Sequence, residues 1–147
     1  MYGAVIGDLA GSIYEYSQIK EIKPVVTSKI IPAQAFFSDD TILTVAIAEA
    51  ALNHGNYETY LRKYINFYQN YHPNFKPYFK SPFSPSLMQW ASKKQEGHSH
   101  GNGAMMRISA IGHLFNIEED VIREATLATI PTHNSKEAII SAQIIAL

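Results

Sequence analysis

The sequence has no cysteine among its 147 residues. A chain without cysteine has no disulfide framework, no thiolate zinc site and no thiol nucleophile, and it suits a reducing compartment. Any metal ion that the protein binds must therefore be held by oxygen or nitrogen ligands.

The sequence also lacks a strong net charge and a long apolar run. Its formal net charge is -1, so it has no electrostatic footprint for nucleic acid. No uncharged apolar run approaches the roughly 20 residues of a membrane span. The N-terminal "MYGAVIGDLAG" has no basic stretch before its apolar residues. We expect a cytoplasmic protein that has neither a nucleic acid nor a membrane as partner.

Apolar residues make up 46% of the chain and recur at helical spacing, with no hairpin signal and no internal repeat. The length fits a single domain, which typically has roughly 100–200 residues. We therefore predict an all-α fold in one domain, or part of one, over residues 1–147. Capping residues and the onset of apolar periods predict helices that begin near Tyr2, Asp39, Tyr57, Pro85, Ala104, Ile117 and Ser135.

Helix ends are also readable. Gly55 follows the second helix at the position where a left-handed residue ends many helices. Two later pairs, Asn116 with Glu119 and Asn134 with Glu137, have the spacing of a capping residue and the acid three positions on. They predict the starts of the last two helices.

Glycines at Gly3, Gly7 and Gly11 form a stripe along the first helix. Glycine lowers helix stability, so three in register predict that a neighbouring backbone lies close to this stripe.

Asp8, Ser12 and Glu15 lie along one line of the same helix, at i, i+4 and i+7. Such a polar face usually meets solvent. If the helix is tightly packed, as the glycines suggest, the same face borders a crevice where its acids could meet cations or sugar hydroxyls.

Two adjacent acids, Asp39 and Asp40, lie between Ser38 and Thr41 where the second helical pattern begins. Acids in the first turn stabilise a helix by ~0.3–1 kcal/mol through its dipole, so a helix start alone explains them. The same oxygen donors are those that Mg²⁺, Ca²⁺ and Mn²⁺ prefer. The two interpretations are compatible.

Three further segments have both a structural and a functional interpretation. "GNGAMMR" places two glycines around Asn102, which forms either an ordinary tight turn or one that approaches a phosphate or ribose closely. His133 in "PTHNS" is either a polar turn residue or a ligand contact. Residues 72–86 hold four prolines among aromatics and form a candidate substrate-side lid.

The segment "SKEAIISAQIIAL" predicts a helix that is apolar on much of its circumference. Such a helix needs cover, from a larger helical domain of which this is the front portion, from a second copy of the chain, or from a partner chain. Alternatively, it closes a small bundle as an ordinary last helix.

Taken together and in this order, "GAVIGDLAGSIYE", "FSDDTILTVAIAEA", "GNGAMMRISAIG" and "PTHNSKEAI" resemble the ADP-ribosylglycohydrolase family. The resemblance implies a compact all-α orthogonal helical bundle with a site for two divalent cations, Mg²⁺ or Mn²⁺. It also implies hydrolysis of the glycosidic bond that joins ADP-ribose to a protein side chain or a small acceptor. The expected partner is accordingly an ADP-ribosylated protein or a small ADP-ribose conjugate.

The resemblance assigns roles residue by residue. Ser38, Asp39 and Asp40 match metal ligands, Thr41 matches a supporting or capping residue, and Glu15 with Asp39 are the candidate catalytic carboxylates. The substrate-binding candidates are Gly101, Asn102, Gly103, Met105 and His133.

The sequence departs from the family pattern in two places. Ser99 stands where several members have an acid before the glycine-rich loop, and no later Asp-x-Asp-Thr segment completes the metal site. We expect residues 1–147 to be the N-terminal portion of the domain, incomplete at its C-terminus, with at most half of the cation ligands. The alternative function is a catalytically inactive relative that is ADP-ribose-binding, crystallin-like or truncated.

Overall fold

The computed structural model describes residues 2–14, 29–72, 81–93 and 96–147. Within these ranges the regular secondary structure is helical, which confirms the all-α prediction, and the one pairing of β type is an isolated bridge between His98 and His133. The helices are α1 (Tyr2–Gly11), α2 (Asp39–Leu52), α3 (Tyr57–Tyr68), α4 (Pro85–Ser92), α5 (Gly103–Met106), α6 (Ser109–Leu114), α7 (Glu118–Thr129) and α8 (Lys136–Ala146).

The predicted helix starts agree closely with the structure. Helices α1 to α4 begin at the predicted residues, and α5, α7 and α8 begin one residue away. The break between α5 and α6 was not predicted. It lies at Arg107 and Ile108, whose side chains are both fully buried, so the turn between the two short helices directs both residues into the interior.

Helix α2 is the centre of the core. Most of its residues are buried, including Leu43, Ala46, Ile47 and Ala50 with no measurable exposure. It packs against α1, α3 and α6. A helix covered on this many sides is apolar around most of its circumference, and its alanines let the neighbouring helices approach closely. The polar start of α2 is thereby held at the edge of a rigid core.

The C-terminal cap of α2 differs from the prediction at one residue. Gly55 does not have the left-handed backbone; His54 does, with φ of 49°. The amides of His54 and Gly55 donate to the carbonyls of Ala51 and Ala50 at 3.2 and 2.8 Å, the pattern of a Schellman cap. A Cβ at Gly55 would lie 2.5 Å from the Tyr60 ring, so a larger residue there requires this ring to move.

Replacing His54 with glycine is expected to raise the free energy of unfolding by about 0.5–1 kcal/mol, because glycine adopts the left-handed conformation without steric cost. The measurement is the midpoint of urea denaturation. His113 lies in the last turn of α6, so His113→Gly is the matched control and is expected to destabilise. Equal losses in both variants would contradict the assignment of a strained cap.

The caps of the last two helices also lie one residue beyond the predicted ones. Ile117 occupies the N-cap of α7 and makes no side-chain cap. Ser135 caps α8 and accepts a hydrogen bond from the amide of Ala138 at 3.2 Å. Asn116 and Asn134 are therefore not the capping residues, because each helix starts one position later than the spacing of polar residues suggested.

The prediction of a close neighbour along the glycine stripe is wrong for the described residues. A Cβ at Gly3, Gly7 or Gly11 would meet nothing within 4 Å. Close backbone contact is found instead at Gly112 in α6, where a Cβ would lie 2.1 Å from the carbonyl oxygen of Ala146 in α8. The glycine that lets two helices approach closely is thus Gly112, between α6 and α8, and not a glycine of α1.

Helix α8 buries Ala142 and Ala146, half-buries Ile139 and exposes its other isoleucines. The exposed set is Ile140, Ile144, Ile145 and Leu147. The expectation that a second copy, a partner chain or further helices cover this face stays a prediction. None of the helices in the described ranges has the length and apolar character that crossing a membrane requires.

Candidate functional site

A cleft of about 620 Å³ is lined by residues from the start of α2 and from the glycine-rich segment. Asp39 and Leu43 of α2 form one side, and Trp90 of α4 contributes to the wall. Residues 96–103 and the pair Thr132 and His133 also line the cleft. The cleft therefore combines one acidic helix start with a glycine-rich loop and a histidine.

The glycine-rich side is built from two chain segments that pair along their backbones. The amide of Ser99 donates to the carbonyl of Thr132 at 3.0 Å, next to the bridge between His98 and His133. Gly97 makes this possible, because a Cβ there would lie 2.2 Å from the Cα of Thr132. We call Gly101, Asn102 and Gly103 the 101–103 turn. The pairing places this turn beside His133, and a Cβ on Gly103 would lie 3.4 Å from its Cε1.

Asp8 of α1 holds the start of α2. Its carboxylate accepts hydrogen bonds from the amide and the hydroxyl of Ser38, both at 2.8 Å. It also accepts from the amide of Thr41 at 3.2 Å and from its hydroxyl at 2.6 Å. Asp8 thereby satisfies amides that the first turn of α2 leaves without helical partners. Its role in this structure is to cap α2 and to fix the position of the acids there.

The two adjacent acids of α2 have different surroundings. Asp39 lines the cleft. Asp40 lies outside it, with a carboxylate oxygen 3.3 Å from the hydroxyl of Ser38, which donates to Asp8. Burial, followed by the negative charge of Asp8, raises the pKa of Asp40. Asp39 is therefore the acid that a ligand in the cleft would meet.

Arg107 is buried and is one of the residues that line the cleft. Its guanidinium donates to the carbonyl of Ala128 at 3.1 Å and to the hydroxyl of Thr132 at 2.7 Å. Burial lowers the pKa of Arg107 to about 10, while the negative charge of Asp39 acts in the opposite direction. Arg107 thus remains a cation at neutral pH, with two neutral oxygens as hydrogen-bond acceptors.

His133 is 4% exposed and lies next to this cation. Burial first, and then the charge of Arg107, lower the pKa of His133 to about 4, against a weaker opposing effect of the Gly101 backbone. Its Nδ1 lies 2.7 Å from the hydroxyl of Thr132. Its Nε2 has no hydrogen bond of ordinary geometry within the described residues. The ring is therefore neutral at pH 7.

The stability of the protein is expected to fall by about 2 kcal/mol between pH 7 and pH 5 because of His133. The pKa of His133 is about 4 in the folded protein, against an ordinary value of 6.5. As the pH falls, the unfolded chain therefore binds the proton first and is stabilised relative to the folded protein. The measurement is urea denaturation at both pH values for the wild type and for His133→Gln. The raised pKa of Asp40 makes the protein more stable as the pH falls. This effect is the same in the wild type and in His133→Gln, so it cancels when the two are compared. An equal pH dependence of stability in the two proteins would contradict the prediction.

The structure brings together most of the substrate-binding candidates. Gly101, Asn102, Gly103 and His133 line the cleft together with Asp39. Met105 is half-buried and is not among the described residues that line the cleft. Glu15, the other catalytic candidate, and residues 73–80 of the candidate lid lie outside the described residues.

Thr132 and the buried hydrogen bonds of Arg107 were not found by sequence reasoning. A signal for Arg107 was available, since it is a single cation between the apolar "GAMM" and "ISAIG". A lone charge within an apolar stretch indicates a buried and hydrogen-bonded side chain rather than an exposed one.

The start of α2 has the donor atoms that a hard cation prefers, but too few of them. The hydroxyl of Ser38 already donates to Asp8. Within the described part of the chain, no group of three or more histidine, aspartate or glutamate side chains could hold a metal ion. Ser38, Asp39 and Asp40 therefore fit at most a part of a divalent-cation site, which needs about six oxygen ligands.

An all-α domain in which an acidic helix start and a glycine-rich loop line one cleft defines a class of helical protein with a polar ligand cleft. The family model for ADP-ribosylglycohydrolase matches residues 1–147, the whole chain, and the protein belongs to this family. Searches of curated proteins and of solved structures found no match.

Proposed function

We propose that this protein hydrolyses the glycosidic bond between ADP-ribose and a protein side chain or small acceptor. The observation that carries the proposal is the cleft that Asp39 and the 101–103 turn line together, in a chain that belongs to the ADP-ribosylglycohydrolase family. The cleft has a carboxylate for the chemistry and a glycine-rich wall that a nucleotide can approach closely.

Asp39 is the proposed general base. Hydrolysis adds water to the anomeric carbon of the ribose, which develops oxocarbenium-like charge as the bond to the acceptor breaks. A carboxylate at this position stabilises that charge and takes the proton of the attacking water. The acceptor nitrogen or oxygen leaves with a proton taken from solvent, to which the carboxylate then releases its own. Glu15, assigned by resemblance, is the proposed second carboxylate.

The 101–103 turn and His133 are proposed to bind the ADP-ribose part of the substrate. The turn and His133 line the same cleft as Asp39, so a ligand in the cleft can contact both the turn and the carboxylate. The proposed partners are accordingly ADP-ribosylated proteins or small ADP-ribose conjugates.

The family generally uses divalent metals, and a bound cation supplies positive charge that neutralises clustered carboxylates. We propose Ser38, Asp39 and Asp40 as the ligands from this part of the chain, with Mg²⁺ or Mn²⁺ as the ion. No catalytic step is assigned to the ion, because the described residues supply too few of its ligands.

Calorimetry is expected to show only weak binding of Mg²⁺ or Mn²⁺. The carboxylates of Asp8 and Asp40 repel each other, and a cation relieves that repulsion, but an incomplete ligand set limits the affinity. The test is to titrate each ion into the wild type and into a double variant that carries both Asp39→Ala and Asp40→Ala. Tight binding by the wild type would contradict the partial site, and weak binding that the double substitution leaves unchanged would contradict the choice of ligands.

The proposed function is tested with the purified chain and two substrates, an ADP-ribosyl-arginine peptide and an ADP-ribosyl-serine peptide, with Mg²⁺ or Mn²⁺ present. Mass spectrometry measures the release of ADP-ribose, and calorimetry measures its binding. Release from either peptide supports the hydrolase. Binding without release supports the alternative, a catalytically inactive ADP-ribose-binding relative. Absence of both overturns the proposal.

A further inference from the structure

We infer that Thr132, itself held by Arg107, fixes neutral His133 as the tautomer with its proton on Nε2. The ring then presents a hydrogen-bond donor, not an acceptor, to the 101–103 turn. Arg107 and Thr132, which also line the cleft, are in this view positioning residues for the His133 ring. The tautomer is a property of the free protein; only its consequence for ligand binding rests on the proposed function.

The argument begins with the hydrogen bonds of the Thr132 hydroxyl. Its oxygen lies 2.7 Å from a guanidinium nitrogen of Arg107 and 2.7 Å from Nδ1 of His133. Arginine can only donate, so the hydroxyl oxygen accepts from Arg107. The hydroxyl has one hydrogen of its own, and no other acceptor for it is found among the described residues.

If Nδ1 of His133 carried a proton, it would also donate to this oxygen and the hydroxyl hydrogen would be left without an acceptor. A buried donor without a partner costs more than the hydrogen bond gains. The hydroxyl of Thr132 therefore donates to Nδ1, and the proton of the neutral ring is on Nε2. Arg107 sets the direction of both hydrogen bonds of the Thr132 hydroxyl, because a guanidinium can never act as an acceptor.

The protonated nitrogen faces the loop side of the cleft. A Cβ on Gly103 would lie 3.6 Å from Nε2, and the Gly101 backbone is near enough to favour the protonated ring. Within the described residues Nε2 is buried and has no hydrogen bond of ordinary geometry. Its N–H is thus an available donor against the turn that forms one wall of the cleft.

The donor has a consequence for selectivity. A neutral N–H is complementary to acceptor oxygens, either those of the turn backbone or those of a ligand that displaces it. A ligand group that can only donate would leave two donors facing each other, which a buried site disfavours.

The tautomer is measured by NMR on the uniformly ¹⁵N-labelled, ligand-free protein. Long-range correlations from the ring carbon protons of His133 to its two nitrogens distinguish the forms at pH 7. We expect a protonated Nε2 and an unprotonated, hydrogen-bonded Nδ1. A proton on Nδ1 in the wild type overturns the inference, whatever the variants show.

Thr132→Val removes the hydroxyl at nearly constant shape, and Thr132→Ser retains it. We expect the valine variant to shift the Nδ1 resonance and to lose the single tautomer, while the serine variant keeps the wild-type spectrum. Circular dichroism checks that both fold. An Nδ1 resonance that is unchanged in Thr132→Val also overturns the inference.

A binding experiment covers the case in which the valine variant does not fold. Glutamine can place its amide near the position of Nε2, and asparagine near that of Nδ1. With ADP-ribose as the probe, we expect His133→Gln to bind about tenfold more tightly than His133→Asn. Equal losses would contradict a donor at Nε2. If the wild type binds no ADP-ribose, the proposed function fails while the NMR result on the tautomer still decides the inference.

Discussion

Replacing Asp39 with asparagine is expected to lower the rate of ADP-ribose release by at least about 100-fold, the usual contribution of a general base. Asparagine has nearly the same shape as aspartate but neither its negative charge nor its capacity to take a proton. Because Asp39 is in the first turn of α2 and lines the cleft, the substitution leaves the core unchanged. The measurement is the initial rate of release at saturating substrate.

Asp120→Asn is the matched control for this experiment. Asp120 is also an acid in the first turn of a helix, α7, and it does not line the cleft. Both substitutions remove a negative charge that interacts favourably with the helix dipole, an interaction that contributes about 0.3–1 kcal/mol of stability. A similar loss of activity in both variants would show that the effect comes from stability, and full activity in Asp39→Asn would exclude Asp39 as the base.

Replacing Gly112 with alanine is expected to lower the free energy of unfolding by about 3 kcal/mol, the upper end of the range for overpacking. The new Cβ would lie 2.1 Å from the carbonyl oxygen of Ala146. The obstructing atom is backbone, so no side-chain rotation relieves the contact and helices α6 and α8 must move apart. The measurement is the free energy of unfolding from urea denaturation.

Gly7→Ala is the control for the intrinsic effect of the same substitution. Gly7 is in α1, where a Cβ meets nothing within 4 Å, so alanine is expected to stabilise the protein by about 0.5–1 kcal/mol. The two substitutions should therefore have opposite signs. A stabilising effect at both positions would mean that α6 and α8 are not in backbone contact.

The helix starts could be read from the sequence because capping is local. Ser84 and Pro85, for instance, open α4 through a hydrogen bond from the amide of Leu87 that spans three residues. The glycines could not be assigned in the same way. Gly7 and Gly112 look alike in sequence, and only the packing of α6 against α8 distinguishes the crowded one.

The cleft could be predicted only through the family resemblance. Asp39 and His133 are almost 100 positions apart in the sequence, and no periodicity connects them. Patterns within one helix carry no information on which distant segments meet. The hydrogen bonds among Arg107, Thr132 and His133 were missed for the same reason. The lone charge of Arg107 indicates burial, but only the fold brings Thr132 and His133 to it.

The attachment of α1 has a consequence for how the protein opens. Helix α1 has no fully buried residue within its bounds, and Asp8 together with the hydroxyl of Ser12, which accepts from the amide of Phe36 at 3.0 Å, connects it to the rest. A segment whose apolar residues are at most half-buried gains little stability from burial, so it forms a separate unit of low local stability. We expect α1 to detach in native-state fluctuations while α2 to α8 stay folded. Each such event would uncover the first amides of α2 and release Ser38 and Thr41 from Asp8, so the acidic side of the cleft would lose its order before the core does.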